Sequence, residues 1–103
     1  MSVLGDLSRS LEAATDEYVV ALDLETEAEN AFLKVQATAF LHAKVSGVAA
    51  TILTKFADAQ AVEERMAWNL AVARRRRCWA KCDELKNRIM ASMSHNKLVG
   101  SQT

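Results

Sequence analysis

The chain has 103 residues; half of them are hydrophobic, a quarter are charged, and its 13 basic and 13 acidic residues cancel. This length allows one domain at most, and this composition excludes a disordered chain. No hydrophobic run approaches the ~18 residues of a membrane-spanning helix, and the first residues lack the pattern of a signal peptide. We therefore expect no membrane contact and a cytoplasmic protein, with its two cysteines as reduced thiols.

The first predicted element is a helix over residues 6–43, which Asp6 or Ser8 can cap at its start. Neither proline nor glycine interrupts this range. Its apolar residues recur at spacings of three and four, the pattern of a long helix packed along its length. At ~1.5 Å per residue such a helix is on the order of 55 Å long, too long for a compact monomer of this size. The residues of this stripe are Leu4, Leu7, Leu11, Ala14, Tyr18, Ala21, Ala28, Phe32, Val35 and Ala39.

A turn and a short helix are predicted over residues 44–57, because Ser46-Gly47 is the only internal break and Gly47 can adopt the left-handed conformation that ends a helix. A second long helix is predicted over residues 58–93, with Asp58 as its cap, followed by a frayed tail over residues 94–103. No alternating pattern indicates a strand. The predicted fold is therefore all-α: one domain forming a long, coiled-coil-like antiparallel helical hairpin, assembled into an oligomeric helix bundle.

Charge is divided between the two halves of the chain. Residues 1–46 carry eight acidic and three basic residues, a net charge of −5, whereas residues 47–103 carry ten basic and five acidic residues, a net charge of +5. Asp23–Glu29 has an acid at every second position, and Arg74–Arg77 is a run of four arginines. A hairpin folded near Thr51 opposes these two runs. We therefore predict ion pairs, within the hairpin or between subunits, that involve Glu25, Glu27, Glu29, Arg75 and Arg77.

The apolar stripes of the two helices indicate the same register. Folding near Thr51 places Tyr18 beside Glu84 and Leu85, and it places Phe32 beside Leu70. Charge runs and apolar stripes therefore agree on one arrangement of the hairpin.

The arginine run also supports a second interpretation. Four consecutive residues advance ~300° around a helix, so these arginines cannot all face the acidic run. Guanidinium groups match phosphate oxygens in geometry, and Trp68 or Trp79 can stack on nucleic-acid bases. Ion pairing with the acidic run is the first interpretation of these arginines, and binding of nucleic acid or an acidic partner is the second. The predicted binding residues are Arg74, Arg75, Arg76, Arg77 and Lys81.

Large apolar residues outside a narrow seam predict self-association. Trp68 and Trp79 are eleven positions apart, which places them on one face of a helix after three turns. Together with Phe40 they are predicted to anchor a homo-oligomeric interface, and a separate protein partner is a further expectation.

No pattern indicates catalysis, a cofactor or a metal. Cys78 and Cys82 share one helical face, but His42 and His95 are poorly placed to complete a zinc site. The cysteines are therefore expected to pack as small hydrophobic residues. Glu25 has no second carboxylate, nucleophile or glycine-rich loop beside it, so we expect no enzyme.

One resemblance adds a biological setting. The pattern of an alanine- and glutamate-rich first helix, a glycine turn and a second long helix resembles a family of small, uncharacterised bacteriophage helical-hairpin proteins. Relatives tend to carry alternating acids and bases where this chain has its arginine run and the two cysteines. The matching residues are Glu27–Lys44 (EAENAFLKVQATAFLHAK), Gly47, Ala50–Phe56 (ATILTKF), Asp58, Val62–Arg65, Asn69–Ser92 and Ser94.

The resemblance implies an accessory role in DNA recombination or replication, since such proteins are often encoded near phage recombination genes. We predict a non-enzymatic phage protein that binds nucleic acid or a recombination protein in the cytoplasm of the bacterial host. The alternatives are a protein-binding inhibitor or adaptor, such as an anti-defence protein, and a structural bundle component that binds no nucleic acid.

Overall fold

The computed structural model describes residues 3–102, with side chains described for residues 3–95. Helix α1 is Val3–Val45, a short 3-10 helix follows at Ala50–Ile52, helix α2 is Leu53–Gln60, and helix α3 is Val62–Gln102. This range contains no strand. The predicted all-α class and hairpin topology are thus confirmed.

Both long helices extend beyond their predicted ends. Helix α1 begins at Val3, so Asp6 lies inside its first turns and pairs with Arg9 three residues later instead of capping the helix. Helix α3 continues to Gln102, where the sequence predicted a frayed tail from residue 94. That stretch has no proline, and the single Gly100 costs only about 1 kcal/mol relative to alanine, which does not end a helix. Thr103 lies outside the described residues.

The chain reverses direction at Gly47, in the role that the sequence predicted for it. This residue has φ +85°, in the left-handed region. The N–H of Gly47 donates to the Lys44 carbonyl at 3.2 Å, and the N–H of Val48 donates to the Ala43 carbonyl at 3.0 Å. This pair of hydrogen bonds is the Schellman motif, which satisfies carbonyl groups left open at a helix end.

Replacing Gly47 by alanine is expected to lower the free energy of unfolding by about 1–2 kcal/mol, because an L side chain strains this backbone conformation. No other atom lies within 4 Å of the position of an added Cβ, so the loss reflects the backbone alone. Urea unfolding followed by circular dichroism measures it, with Ser46→Ala as the matched control. Equal stability of Gly47→Ala and Ser46→Ala would contradict the role of this turn.

The expected cap at Asp58 is wrong, because Asp58 lies inside α2. The break between α2 and α3 falls at Ala61, whose N–H donates to the carbonyls of Ala57 and Asp58, at 3.2 Å each. Ala61 is fully buried, and its small side chain fits this tight junction. The Asp58 carboxylate instead accepts a hydrogen bond from Gln36 Nε2 at 2.6 Å, which ties α2 to α1.

Contacts divide the chain into two compact units. The terminal unit comprises residues up to Ala21 and from Arg74 onward, and the turn unit is Leu22–Ala73. Each contains part of α1 and part of α3, and the turn unit also contains α2. Among described side chains, the buried hydrophobic residues of the terminal unit are Ala14, Ala21 and Leu85, and those of the turn unit are Phe32, Ala43, Leu53, Ala57 and Ala61.

The core is therefore thin and made mostly of alanine. Alanine lets two helices approach closely but buries little apolar area, and the area buried sets the hydrophobic stabilisation. Sixteen large hydrophobic residues among the described side chains are exposed, whereas only Phe32, Leu53 and Leu85 are buried. Much apolar surface thus remains for another molecule to cover.

The predicted register is wrong within each unit. In the terminal unit the Tyr18 ring lies beside Trp79, with centroids 5.6 Å apart, rather than beside Leu85, six positions further along α3. In the turn unit the Phe32 ring lies beside Trp68, with centroids 5.5 Å apart, rather than beside Leu70. The reversal at Gly47, four residues before Thr51, gives both shifts their direction, and their sizes differ: two positions for Phe32 and six for Tyr18.

Candidate nucleic-acid interface

The arginine run occupies the start of the α3 segment in the terminal unit. Arg74, Arg76 and Arg77 are exposed, whereas Arg75 is half-buried and engaged in an interaction. Within the described part of the chain, Arg74, Arg76 and Arg77 have no hydrogen bond and no ion pair. Three guanidinium groups are therefore available to an external anion, and each offers a planar fork of donors.

Lys81, the fifth predicted binding residue, has an internal partner. Its Nζ lies 3.5 Å from Glu17 Oε2, and both side chains are 56% exposed. An exposed ion pair of this kind contributes about 0–1 kcal/mol, so a phosphate can compete with the carboxylate. Arg88 is similarly held by Glu84 one helical turn earlier, with 2.8 Å between Nη2 and Oε1. Lys86 is exposed and has no such partner among the described residues.

Trp79 presents an apolar ring among these cations. It is 57% exposed, and its ring rests against Tyr18 with an angle of 49° between the ring planes. At ~100° per residue, Arg76 and Lys86 share its face of the helix, one turn before it and two turns after it. Sequence reasoning missed this cluster because it placed Tyr18 beside Leu85.

Trp68 has a different environment, inside the turn unit. It is half-buried against Phe32, and the Arg65 guanidinium lies 4.6 Å from its ring centroid, within the range of a cation–π contact. Its Nε1 is buried and has no hydrogen-bond partner in the part of the chain that the structure describes. Of the two tryptophans predicted to stack on bases or to anchor an interface, Trp79 is therefore the one with a free ring face.

The acidic run belongs to the turn unit, whereas the arginine run belongs to the terminal unit. Glu27 is exposed, and Glu25 and Glu29 are half-buried; Glu25 is engaged in an interaction, as Arg75 is. The predicted pairing of the two runs joins different units, and it stays a prediction.

The cysteines and histidines form no cluster. Cys78 and Cys82 are free thiols, half-buried on the face of α3 that also carries Leu85. His42 and His95 are exposed and belong to different units. No group of three or more metal-ligating side chains occurs among the residues described. Within the same residues, no helix has the length and apolar character needed to cross a bilayer.

The turn unit also carries an open groove of about 730 Å³. Residues of α1 and α2 and one residue of α3 line it. The apolar side chains of Val35, Ala39 and Phe56 line it together with Lys34 and Glu64. Two smaller cavities, of about 540 and 490 Å³, share Gln36 as a lining residue. The 730 Å³ groove also has Thr38 and His42 in its lining, one helical turn apart on α1.

Comparison of the chain with protein-family models, with curated proteins and with solved structures finds no match. Interpretation of the site therefore depends on its own chemistry. The resemblance to bacteriophage proteins remains a prediction from the sequence pattern.

Proposed function

We propose that this chain is a non-enzymatic accessory protein that binds nucleic acid through the terminal unit of α3. The sequence resemblance to bacteriophage proteins suggests the setting of this proposal, which is phage DNA recombination or replication in the cytoplasm of a bacterial host. The observation that carries the proposal is the set of three exposed arginines without partners in the described chain: Arg74, Arg76 and Arg77.

Charge distribution supports an anion as the ligand. Residues 74–95 of α3, whose side chains are described, include seven basic residues and two acidic residues, Asp83 and Glu84. Glu84 is already neutralised by Arg88. On the α1 side of the terminal unit, Glu17 is neutralised by Lys81, but Glu12 and Asp16 remain exposed. Binding is therefore expected to be weak and confined to the α3 side, where cations predominate.

A second candidate function is favoured by the exposed apolar surface. The sixteen exposed large hydrophobic residues fit a protein-binding inhibitor or adaptor, such as an anti-defence protein, or a structural bundle component. This function needs no phosphate contact, so it predicts that replacing the three arginines leaves the affinity for the protein partner unchanged.

Fluorescence anisotropy with labelled DNA at 25–200 mM salt tests the proposal. Three phosphate contacts predict a log–log salt slope of about −2 for single strands and about −2.7 for duplex, or roughly a 20-fold loss of single-strand affinity between 50 and 200 mM. The variant Arg74→Ala/Arg76→Ala/Arg77→Ala is expected to lose most of this binding and most of the slope.

The matched control is Lys34→Ala/Lys44→Ala/Lys55→Ala, which removes the same charge from exposed sites in the turn unit. It is expected to bind as the unmodified protein does. If the control loses as much affinity as the arginine variant, net charge alone explains binding and the site is wrong. If the unmodified protein binds no DNA even at 25 mM salt, the protein-binding function replaces the proposal.

A further inference from the structure

We infer that Trp79, supported by Tyr18 and flanked by Arg76 and Lys86, is a base-stacking platform that selects single-stranded nucleic acid. This inference rests on the proposed function and deepens it, because it names the form of nucleic acid that the arginines hold. Four residues carry it, all in the terminal unit.

The first step is the presentation of the ring. Trp79 is 57% exposed, an unusual environment for the largest apolar side chain, and one side of it packs on Tyr18. The contact between the two rings, 5.6 Å between centroids, restricts the orientation of the indole. A ring that is already oriented loses little conformational freedom when a base stacks on its open face.

The second step is the charge around the ring. Arg76 and Lys86 lie on the same face of α3, about 15 Å apart along the axis, with Trp79 between them. Neither has a partner among the described residues. Asp83 is the one acidic side chain on this face, one turn after Trp79, and it is exposed. Two cations and one anion therefore leave the face positive, which suits the backbone on either side of a stacked base.

The third step is the choice between single strand and duplex. In a duplex the base faces are covered by their neighbours, and a protein ring can reach them only after a base is unpaired and extruded. A single strand offers free base faces, and aromatic stacking is tolerant of sequence because every base has a π-face. Arginines that contact phosphates do not make this distinction. Trp79 is therefore the feature that favours single strands.

The experiment uses the full chain and single-stranded oligothymidine, an abasic strand of the same length, and duplex DNA. In the Trp68→Phe background Trp79 is the only tryptophan, since the chain has two. This background keeps an aromatic ring beside Phe32 and removes the buried, unpartnered Nε1. Oligothymidine is expected to quench Trp79 emission, whereas the abasic strand and the duplex are expected to leave it nearly unchanged.

Affinity gives the second readout. Trp79→Ala is expected to weaken binding of oligothymidine by about 5- to 150-fold, the range that stacking of one base confers, and to leave binding of the abasic strand unchanged. Trp79→Phe is expected to bind oligothymidine more tightly than Trp79→Ala does, because the smaller phenyl ring still stacks on a base. Circular dichroism of both variants verifies that the helices are intact, and alanine is itself a strong helix former.

Three outcomes would overturn the inference, and they differ in what they leave standing. If oligothymidine and the abasic strand bind equally and Trp79→Ala changes neither, the ring is not a platform, while the arginine site remains. If no strand binds at 25 mM salt, the proposed function falls together with the inference. If acrylamide fails to quench Trp79 in the free protein and its mass exceeds that of a monomer, a second copy of the chain covers the ring.

Discussion

Replacing Phe32 by alanine is expected to lower the free energy of unfolding by about 3–5 kcal/mol, the largest loss expected from truncating any of the buried side chains that the structure describes. Phe32 is 7% exposed and is the only buried aromatic residue among the described side chains. It packs on Trp68, and the Arg65 guanidinium lies 5.4 Å from its ring centroid. Phe32 also lines a cavity of about 540 Å³, so its truncation enlarges a space that is already open beside it.

Phe56→Ala is the matched control, because it makes the same substitution at a residue that is 37% exposed. Urea unfolding followed by circular dichroism is expected to show a clearly smaller loss for this variant. A domain of this size is typically stable by about 5–15 kcal/mol, so Phe32→Ala brings the protein close to its unfolding threshold. Equal losses for the two phenylalanines would show that the Phe32–Trp68 contact is not the centre of the turn unit.

The protein is expected to sediment as a dimer or a larger oligomer at tens of micromolar, and replacing Leu41 and Met66 by glutamate is expected to leave it monomeric. Leu41 is 62% exposed and Met66 is 61% exposed, beside two cavities of the turn unit that share Gln36. Phe40 and Val62 line the same cavities. Exposed apolar side chains beside open cavities can serve both as knobs and as pockets, which is what a self-complementary two-fold interface needs.

Sedimentation equilibrium across a tenfold range of concentration measures the assembly. Met90→Glu/Met93→Glu is the matched control, since both methionines are 56% exposed and belong to the terminal unit. The control is expected to retain the mass of the unmodified protein. A monomer at tens of micromolar for the unmodified chain would refute self-association. If only the Met90→Glu/Met93→Glu variant becomes monomeric, the interface lies in the terminal unit, which contains the predicted anchor Trp79.

The helices were predictable because their signals are local. Spacing of apolar residues and the absence of proline determine where a chain is helical, and Gly47 was recognisable as the break because it is the only glycine between Gly5 and Gly100. The separate helix α2 was less evident, since the break at Ala61 involves no glycine, proline or capping side chain. A fully buried alanine at a junction has no signature in the sequence, because its effect arises from packing.

The candidate site was predicted in its residues but not in its geometry. The arginines were identifiable from composition, and three of them are exposed and without partners in the described chain. The sequence did not indicate which tryptophan lies beside these arginines with an exposed ring, because that depends on the register of the two long helices. In the structure Trp79 lies against Tyr18, and Trp68 lies against Phe32. The observed register thus differs from the one that the apolar stripes predicted.

The alanine-lined seam limits how this chain can change over generations. Ala14, Ala21, Ala43, Ala57 and Ala61 are at most 1% exposed, and inserting even a few methylene groups at such positions typically costs 1–3 kcal/mol. The exposed positions between them tolerate most side chains that favour helices. At the buried alanine positions of related sequences, the volume of the side chain rather than its polarity should therefore limit which substitutions occur. A search for distant homologues that weights the spacing of small residues should therefore find more of them than a search that weights the pattern of charges.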